Sequence, residues 1–173
     1  MTSIVASYGP RTTALIVFDD GVYEFSHDAN GASTGWLCSS QRIVIAKETT
    51  IFSPGNLRAT AEHDGYRALV QHYVEHKYQL RYTGGLVPDA YQLFTKRQGV
   101  FTFPTSSSRP PKLRMVFEAA PVALLVEAAG GATSDGVSGG SLLDVKITHM
   151  DQRTPLCLGS MREVSKASSA AFD

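Results

Sequence analysis

The segment at residues 112–131, KLRMVFEAAPVALLVEAAGG, limits the possible fold more than any other part of the sequence. Its apolar residues recur at spacings of three and four, at Val122, Leu125, Val126 and Ala129. This spacing predicts an α-helix with one buried face. Pro121 is compatible with the first turn, because its missing N–H would have no partner there. Gly130 and Gly131 are expected to end the helix, since glycine adopts the left-handed C-terminal conformation at least cost.

Three charged residues surround the start of this helix. Lys112 and Arg114 precede the apolar run, and Glu118 lies where the run becomes helical. A carboxylate is stabilised at that end of a helix dipole, and it could hold a hard cation such as Mg²⁺ against a phosphate. The alternative is a buried amphipathic helix whose N-terminal glutamate has no chemical role.

Composition excludes several classes of function. The 173 residues suffice for one ordinary domain, 1–173, and 43% hydrophobic residues can fill a core. A formal net charge of zero provides no field that attracts nucleic acid or anionic lipid, so neither partner is expected. We expect no transmembrane helix and no signal peptide, and therefore a soluble intracellular protein. Cys38 and Cys157 lack metal-binding spacing and are expected to be free thiols, although one long-range disulfide stays open.

Hydrophobic periodicity predicts an alternation of strands and helices. Strands are expected at 12–18, 22–25, 36–38, 42–46, 78–82, 100–103, 132–134, 142–147 and 155–158. Helices are expected at 65–75, 86–95 and 161–167, in addition to the helix that follows Glu118. Segments at 27–35, 52–58 and 106–111 are expected to be loops. The pattern predicts an α/β fold, a layered mixed sheet of five strands with flanking helices.

Cations and neutral hydrogen-bond donors recur on the expected loops and element ends. The set comprises Arg11, Asn56 with Arg58, Arg81 with Tyr82, and Lys112 with Arg114. Arginine and lysine recognise phosphate through charge-assisted hydrogen bonds, to which tyrosine and asparagine add neutral donors. The pattern indicates a phosphate-binding site, and the alternative is a set of scattered surface charges.

Five segments, in order along the chain, resemble the fructose-1,6-bisphosphatase class of sugar phosphatases. They read YGPRTT, FSPGNLRAT, KYQLRYTGGLVPD, the 112–131 segment, and LLD followed by DQRTPLCLGS. The sequences SPGNLRAT and LRYTGGLVPD are similar to those of the sedoheptulose-1,7-bisphosphatase branch of that class. The resemblance runs from Ser7 to Val164 and implies the carboxy-terminal, substrate-binding half of the sugar-phosphatase fold.

The resemblance also implies roles for individual residues. Asn56, Tyr82 and Lys112 match positions that bind a substrate phosphate. Leu86 stands where fructose-1,6-bisphosphatases carry a methionine that touches the sugar. Arg81 matches an arginine that reaches into the site of a neighbouring subunit, which implies a homo-oligomer.

The resemblance implies Mg²⁺ as the cofactor. Glu118 matches a metal ligand of the catalytic centre and is the candidate for a catalytic, substrate-binding and metal-binding residue. Such a centre needs several convergent carboxylates, and the D-P-x-D-G-S motif that supplies most of them in the family is absent from this sequence. Ala59 and Phe103 also depart from the family, because each stands where fructose-1,6-bisphosphatases have a tyrosine. We therefore expect a chain that does not turn over substrate alone.

The implied function is sugar-bisphosphate binding within an Mg²⁺-dependent phosphatase that hydrolyses the 1-phosphate of sedoheptulose-1,7-bisphosphate or fructose-1,6-bisphosphate. One alternative is a non-catalytic module that binds sugar phosphates or serves in oligomerisation. Another is a truncated chain whose missing half supplies the carboxylates. Related photosynthetic enzymes work in the chloroplast stroma and others in the cytosol, so we expect one of these compartments.

Two further motifs are weaker. Residues 72–76 spell H-x-x-E-H on an expected helix, the order of an inverted zinc-peptidase motif, but no further ligand segment is apparent. We interpret this motif as a solvated helix face. The glycine-rich segment 136–140 lacks the lysine of a P-loop and is interpreted as a surface loop.

Overall fold

A computed structural model describes residues 1–28, 35–108, 110–138 and 140–170. The strands are β1 (Ile4–Ser7), β2 (Thr13–Phe18), β3 (Gly21–Asp28), β4 (Gly35–Ile43), β5 (Ile51–Pro54), β6 (Gln79–Leu80), β7 (Val100–Phe103), β8 (Leu113–Arg114), β9 (Ala132–Ser134), β10 (Arg153–Thr154) and β11 (Leu156–Gly159). The α-helices are α1 (Asp64–Glu75), α2 (Leu86–Lys96), α3 (Ala120–Ala128) and α4 (Met161–Ala170). None of the helices in these ranges is both long and apolar enough to cross a membrane.

A five-stranded mixed sheet, in the order β6-β5-β7-β11-β9, forms the centre of the fold. Strand β5 pairs in parallel with β6 and β7, whereas β11 pairs antiparallel with β7 and β9. Successive residues of a strand point to opposite faces. Val100 and Cys157 therefore pack with α1 and α4, while Phe101 and Leu158 pack with α2 and α3. The prediction of a mixed five-stranded sheet with flanking helices is confirmed.

A second sheet covers the far side of α2 and α3. Strands β1 to β4 form an antiparallel sheet in sequence order, and its side chains Leu15, Val22 and Ile43 share one core with α3. Helix α3 is consequently buried between two sheets, with Leu125 and Val126 fully inaccessible to solvent. The strands expected at 12–18 and 22–25 are confirmed and pair as a hairpin, but the sequence did not predict the sheet to which they belong.

The helix predicted within 112–131 forms where expected. Its four spaced apolar residues, Val122, Leu125, Val126 and Ala129, are all buried. Pro121 lies in the first turn, and Gly130 follows the helix with a left-handed φ of 82°. A π-helical turn, Met115–Ala119, precedes the α-helix and carries Glu118. The other three expected helices are also present, as α1, α2 and α4.

The loop prediction at 52–58 is wrong for its first part. Residues Ile51–Pro54 are all buried and form β5, between β6 and β7. A one-turn 3₁₀ helix, Leu57–Ala61, follows. Proline and glycine in this segment resemble loop punctuation, but Pro54 and Gly55 lie at the end of the strand, where the chain leaves the sheet.

Three other boundaries also differ from the predictions. Strands expected at 36–38 and 42–46 are one strand, β4, with an irregular register against β3, and residues 44–46 lie outside it. The loop expected at 27–35 is strand at both ends, and residues 29–34 are outside the described residues. The strand expected at 142–147 is wrong, because Ser141 caps a 3₁₀ turn at Leu142–Asp144 by accepting the N–H of Leu143.

Candidate functional site

The parallel strands β5, β6 and β7 end at the same edge of the sheet, and a cavity of about 500 Å³ opens there. Ligands of α/β sheets commonly bind outside the carboxyl ends of parallel strands. The chain segments that leave these three strands line the cavity, together with the start of α2 and the segment around β8. The lining residues are Pro54, Asn56, Leu57, Arg58, Tyr82, Gly84, Gly85, Leu86, Asp89, Phe101, Phe103, Pro110, Lys112 and Leu113.

Four of the six predicted site residues meet in this cavity. They are Asn56, Tyr82, Leu86 and Lys112, and they come from four different segments of the chain. Arg58, which belonged to the predicted set of phosphate-binding cations, lies with them. Arg81 and Glu118 are not part of its lining.

Asn56 lies where the chain turns away from β5. Its backbone adopts a left-handed conformation, φ 47° and ψ 49°, which asparagine tolerates better than most residues. Its side-chain nitrogen donates one hydrogen bond to the carbonyl oxygen of Pro104, over 2.9 Å. The amide has two N–H donors, so one remains for a ligand in the cavity.

Tyr82 stands at the exit of β6 with 42% of its surface exposed. Partial burial raises the pKa of the Tyr82 hydroxyl, and the negative charge of Asp89 raises it further. The hydroxyl therefore stays protonated and can donate to an anion at neutral pH.

Helix α2 begins at the cavity. Leu86 and Val87 are its first residues, and N–H groups at this end have no acceptor within the helix. The third residue, Pro88, has no N–H to satisfy. The helix N-terminus therefore favours an anion near Leu86.

Lys112 adds a cation to the lining of the cavity. It immediately precedes β8, and its carbonyl oxygen accepts a hydrogen bond from Nη1 of Arg153 over 2.7 Å. Within the described ranges, neither Lys112 nor Arg58 has a carboxylate partner at ion-pair distance. Both residues are solvent-exposed and line the cavity.

Arg81 follows the edge strand β6 and is oriented differently from Tyr82. Its backbone is held by the sheet, because its N–H donates to Phe52 and its carbonyl accepts from the hydroxyl of Ser53. Its guanidinium Nη1 donates to the carbonyl of Leu80 over 3.1 Å. The side chain thus lies at the sheet edge, outside the cavity that Tyr82 lines.

Glu118 lines a second cavity, of about 620 Å³, which shares Gly85 and Leu86 with the first. One carboxylate oxygen accepts the backbone N–H of Arg114 over 2.6 Å. The other lies 3.6 Å from the Arg114 guanidinium, whose carbon is 5.5 Å from the centre of the Phe117 ring. Arg114 is therefore the partner of Glu118 and does not line the first cavity.

The donor set around Glu118 does not fit a complete Mg²⁺ site. Magnesium binds through oxygen ligands in octahedral geometry, usually one or two carboxylates together with water and phosphate oxygens. No group of three or more metal-ligating side chains occurs in the described part of the chain. Glu118 could contribute one ligand, after releasing its contact with Arg114.

The two positions that depart from the family have apolar surroundings. Ala59 is fully buried in the core beneath α1, beside Tyr66. Phe103 forms part of the cavity wall and stacks on Phe101, with ring centres 6.3 Å apart. The hydroxyl of Tyr66 donates to the carbonyl of Gly55 over 2.7 Å, which supports the turn before Asn56 from below.

Other predicted candidates lie elsewhere. Arg11 does not line the first cavity, and its guanidinium pairs with Glu24 and with the hydroxyl of Ser26 on the four-stranded sheet. His72 on α1 and His76, which caps the end of α1, have ring centres 4.0 Å apart. The free-thiol prediction is confirmed, with Cys38 exposed and Cys157 buried.

Sequence reasoning missed the part that Asp89 takes in the cavity. Its side chain is fully buried, and its two oxygens accept the N–H groups of Thr83 and Gly84. The sequence did contain a signal for this role. An aspartate in the first turn of a helix that follows a Gly-Gly pair is expected near backbone N–H groups that have no partner within the helix.

The chain belongs to the fructose-1,6-bisphosphatase family. Residues 45–172 match the family model "Fructose-1-6-bisphosphatase, C-terminal domain". The chloroplastic sedoheptulose-1,7-bisphosphatase of Chlamydomonas reinhardtii is 45% identical over 161 residues, which cover 92% of this chain and 40% of that protein. The class 1 fructose-1,6-bisphosphatase of Citrifermentans bemidjiense is 36% identical over 163 residues, which cover 94% and 48%.

Solved structures agree with this assignment. A crystal structure from Toxoplasma gondii, which bears the name of a candidate sedoheptulose-1,7 bisphosphatase, matches with a TM-score of 0.88 and 43% identity. The match covers 98% of this chain and 53% of that one. Apo fructose-1,6-bisphosphatase from Leishmania major matches with a TM-score of 0.85 and 29% identity, over 97% and 54%. The chain thus spans about half the length, or less, of the relatives it matches.

Proposed function

We propose that the 500 Å³ cavity binds the phosphate group of a sugar bisphosphate that lies away from the scissile bond. The observation that carries this proposal is the convergence of Asn56, Tyr82 and Lys112 at the N-terminus of α2. These residues offer an amide, a hydroxyl and an ammonium group, all hydrogen-bond donors. Charge-assisted hydrogen bonds of this kind to phosphate are worth about 1.5–3 kcal/mol each.

The remaining lining suits the carbon chain of the ligand. Leu86, Phe101 and Phe103 form an apolar wall next to the donors. Binding pockets for small molecules combine such walls with a few placed polar groups, in volumes of about 300–1,000 Å³. The cavity lies within that range.

We extend the proposal to a Mg²⁺-dependent phosphatase that hydrolyses the 1-phosphate of sedoheptulose-1,7-bisphosphate or fructose-1,6-bisphosphate. The linings of the two cavities share Gly85 and Leu86, which supports a ligand that is held by its distal phosphate in the first cavity and extends toward Glu118. Glu118 would supply one carboxylate, and the other metal ligands would come from a polypeptide segment beyond these 173 residues. The isolated chain is then expected to be inactive.

Two properties of the relatives complete the proposal. Arg81 lies at the sheet edge and points away from its own cavity, which suits a contribution to a second copy in a homo-oligomer. The Chlamydomonas relative is named as chloroplastic, so the chloroplast stroma is one proposed compartment, and the cytosol is the other.

The alternative is a non-catalytic module that binds sugar phosphates. It is favoured by the engagement of both Glu118 oxygens by Arg114 and by the isolation of this carboxylate from other metal-ligating side chains in the described ranges. Calorimetry with sedoheptulose-1,7-bisphosphate, with and without Mg²⁺, distinguishes the two when the chain is joined to the amino-terminal half of a relative. A metal-dependent affinity supports the phosphatase half, and an affinity that ignores Mg²⁺ supports the module. Absence of binding under both conditions refutes both.

Activity provides a second test. Phosphate release from sedoheptulose-1,7-bisphosphate with Mg²⁺ is measured on the chain alone, and then on the chain joined to the amino-terminal half of a relative. In the joined protein, Lys112→Ala should raise KM by about 10-fold or more through the loss of one charge-assisted contact. Glu118→Gln should mainly lower kcat. Rapid turnover by the isolated chain would contradict the proposal.

A further inference from the structure

The buried carboxylate of Asp89 lies in the wall of a cavity for which we propose an anionic ligand. A negative charge there would weaken phosphate binding if it faced the ligand. Its oxygens instead face the preceding turn, with Oδ1 2.7 Å from the Thr83 nitrogen and Oδ2 3.1 Å from the Gly84 nitrogen. Oδ1 also lies 3.5 Å from the side-chain nitrogen of Gln92. All three neighbours are hydrogen-bond donors, so they stabilise the carboxylate where it is.

The turn that Asp89 binds connects two parts of the cavity. Tyr82 immediately precedes it, and Leu86, the first residue of α2, immediately follows. Gly84 in its centre has a φ of 92°, a conformation that residues with a Cβ rarely adopt. Among the residues that the structure describes, its chain neighbours aside, none would have a heavy atom within 4 Å of a Cβ at Gly84, so the conformation, and not lack of space, favours glycine there.

Two hydrogen bonds from consecutive residues to one buried carboxylate restrict the conformation of this turn. The distance between the Tyr82 hydroxyl and the first N–H groups of α2 depends on the shape of this turn. Placing donors in advance lowers the entropy cost of ligand binding.

We propose that Asp89 is a positioning residue of the site: by binding the N–H groups of Thr83 and Gly84, it places Tyr82 and the N-terminus of α2 around the distal phosphate of a sugar phosphate. The inference rests on the proposed function, since it concerns the same cavity. Asp89 contacts no ligand itself and acts through the turn.

The test measures the turn and the ligand separately, on the 173-residue chain. NMR chemical shifts and hydrogen exchange of the Thr83 and Gly84 amides report the turn without any ligand. Titration with fructose 6-phosphate and sedoheptulose 7-phosphate, without metal, measures the affinity for the distal phosphate. We expect both amides to be protected in the native chain. Asp89→Asn replaces one acceptor oxygen by an NH₂ donor, so at least one of the two amides should lose protection, together with at least a 10-fold loss of affinity.

Gly84→Ala keeps the buried carboxylate and disturbs only the turn, so it serves if Asp89→Asn does not fold. We expect Gly84→Ala to lower the affinity for both sugar phosphates by a similar factor. Gly130→Ala is the matched control, because Gly130 also has a left-handed φ, 82°, and an open Cβ position, with Val44 as the nearest neighbour at 4.0 Å. It carries the same backbone strain away from the cavity and should leave affinity unchanged.

The outcomes separate the inference from the function beneath it. Native binding that is weakened in Asp89→Asn and Gly84→Ala, but not in Gly130→Ala, supports the inference. Native binding that survives both turn variants, or amides that exchange freely in the native chain, overturns the inference and leaves the proposed function standing. A native chain that binds neither sugar phosphate overturns the proposed function, and the inference with it.

Discussion

Gly55→Ala is expected to destabilise the protein through a collision at the base of the cavity. Gly55 connects β5 to Asn56, and its N–H donates to the carbonyl of Thr102 over 2.7 Å. A Cβ added to Gly55 would lie 2.4 Å from Cδ2 of Phe103 and 2.8 Å from the Thr102 carbonyl oxygen. The Phe103 ring can rotate away, but the carbonyl belongs to the backbone of a strand in the middle of the sheet.

The magnitude follows from three contributions. Overpacking a well-packed site costs about 1–3 kcal/mol. Lengthening the Gly55–Thr102 hydrogen bond costs up to about 1 kcal/mol more. Replacing glycine by alanine lowers the entropy of the unfolded chain, which returns about 0.4–1 kcal/mol. With the midpoint of each range, the net loss of unfolding free energy is about 2 kcal/mol, and at about 2–4 °C per kcal/mol it lowers Tm by roughly 4–8 °C.

Urea denaturation followed by circular dichroism measures the loss, and calorimetry measures Tm. Gly35→Ala is the matched control, because Gly35 lacks a left-handed φ and a Cβ there would have no heavy atom of the described residues within 4 Å, its chain neighbours aside. It should be neutral or slightly stabilising. A Gly55→Ala variant as stable as the native chain would refute the reasoning.

A double-mutant cycle with Phe103→Ala identifies the colliding group. If the ring is the main obstacle, the cost of Gly55→Ala should fall once the ring is removed. If the contact with the Thr102 carbonyl causes the destabilisation, Gly55→Ala should cost the same unfolding free energy in the native chain and in the Phe103→Ala variant. The backbone shift in that case also moves Asn56, so affinity for sugar phosphates should decrease along with stability.

Two further predictions concern pH and thiol reactivity. The hydroxyls of Ser108 and Ser107 donate to Glu62 and lower its pKa from 4.5 to about 2. Because the pKa of Glu62 is lower in the folded than in the unfolded chain, its hydrogen bonds with Ser107 and Ser108 should persist at pH 4.5 and be lost as the pH falls through about 2. Release of the Ser107 amide near pH 4.5 in an NMR titration would contradict this prediction. Burial raises the pKa of the Cys157 thiol, so a thiol reagent should modify Cys38 alone in the native chain and both cysteines after unfolding. Modification of both cysteines in the native chain would contradict the burial of Cys157.

Sequence patterns located most elements because the signals are local. The spacing of apolar residues and the Gly130–Gly131 pair were sufficient to place α3. Periodicity likewise located α1 and β7. The pattern failed at β5, where a buried parallel strand of four residues ends in Pro54 and resembles a loop. Burial between two neighbouring strands decides that segment, and no local pattern records it.

The sequence by itself determined most of the helices and strands and, through family resemblance, the set of candidate residues. Only the tertiary structure decided which of them share a cavity. Parallel pairing of β5 with β6 and β7 brings Asn56 and Tyr82 to one edge of the sheet across 26 positions of sequence. Side-chain direction then separates Arg81 from its neighbour Tyr82 and turns Glu118 toward Arg114. Pairing and direction depend on contacts between distant segments, so they exist only once the chain has folded.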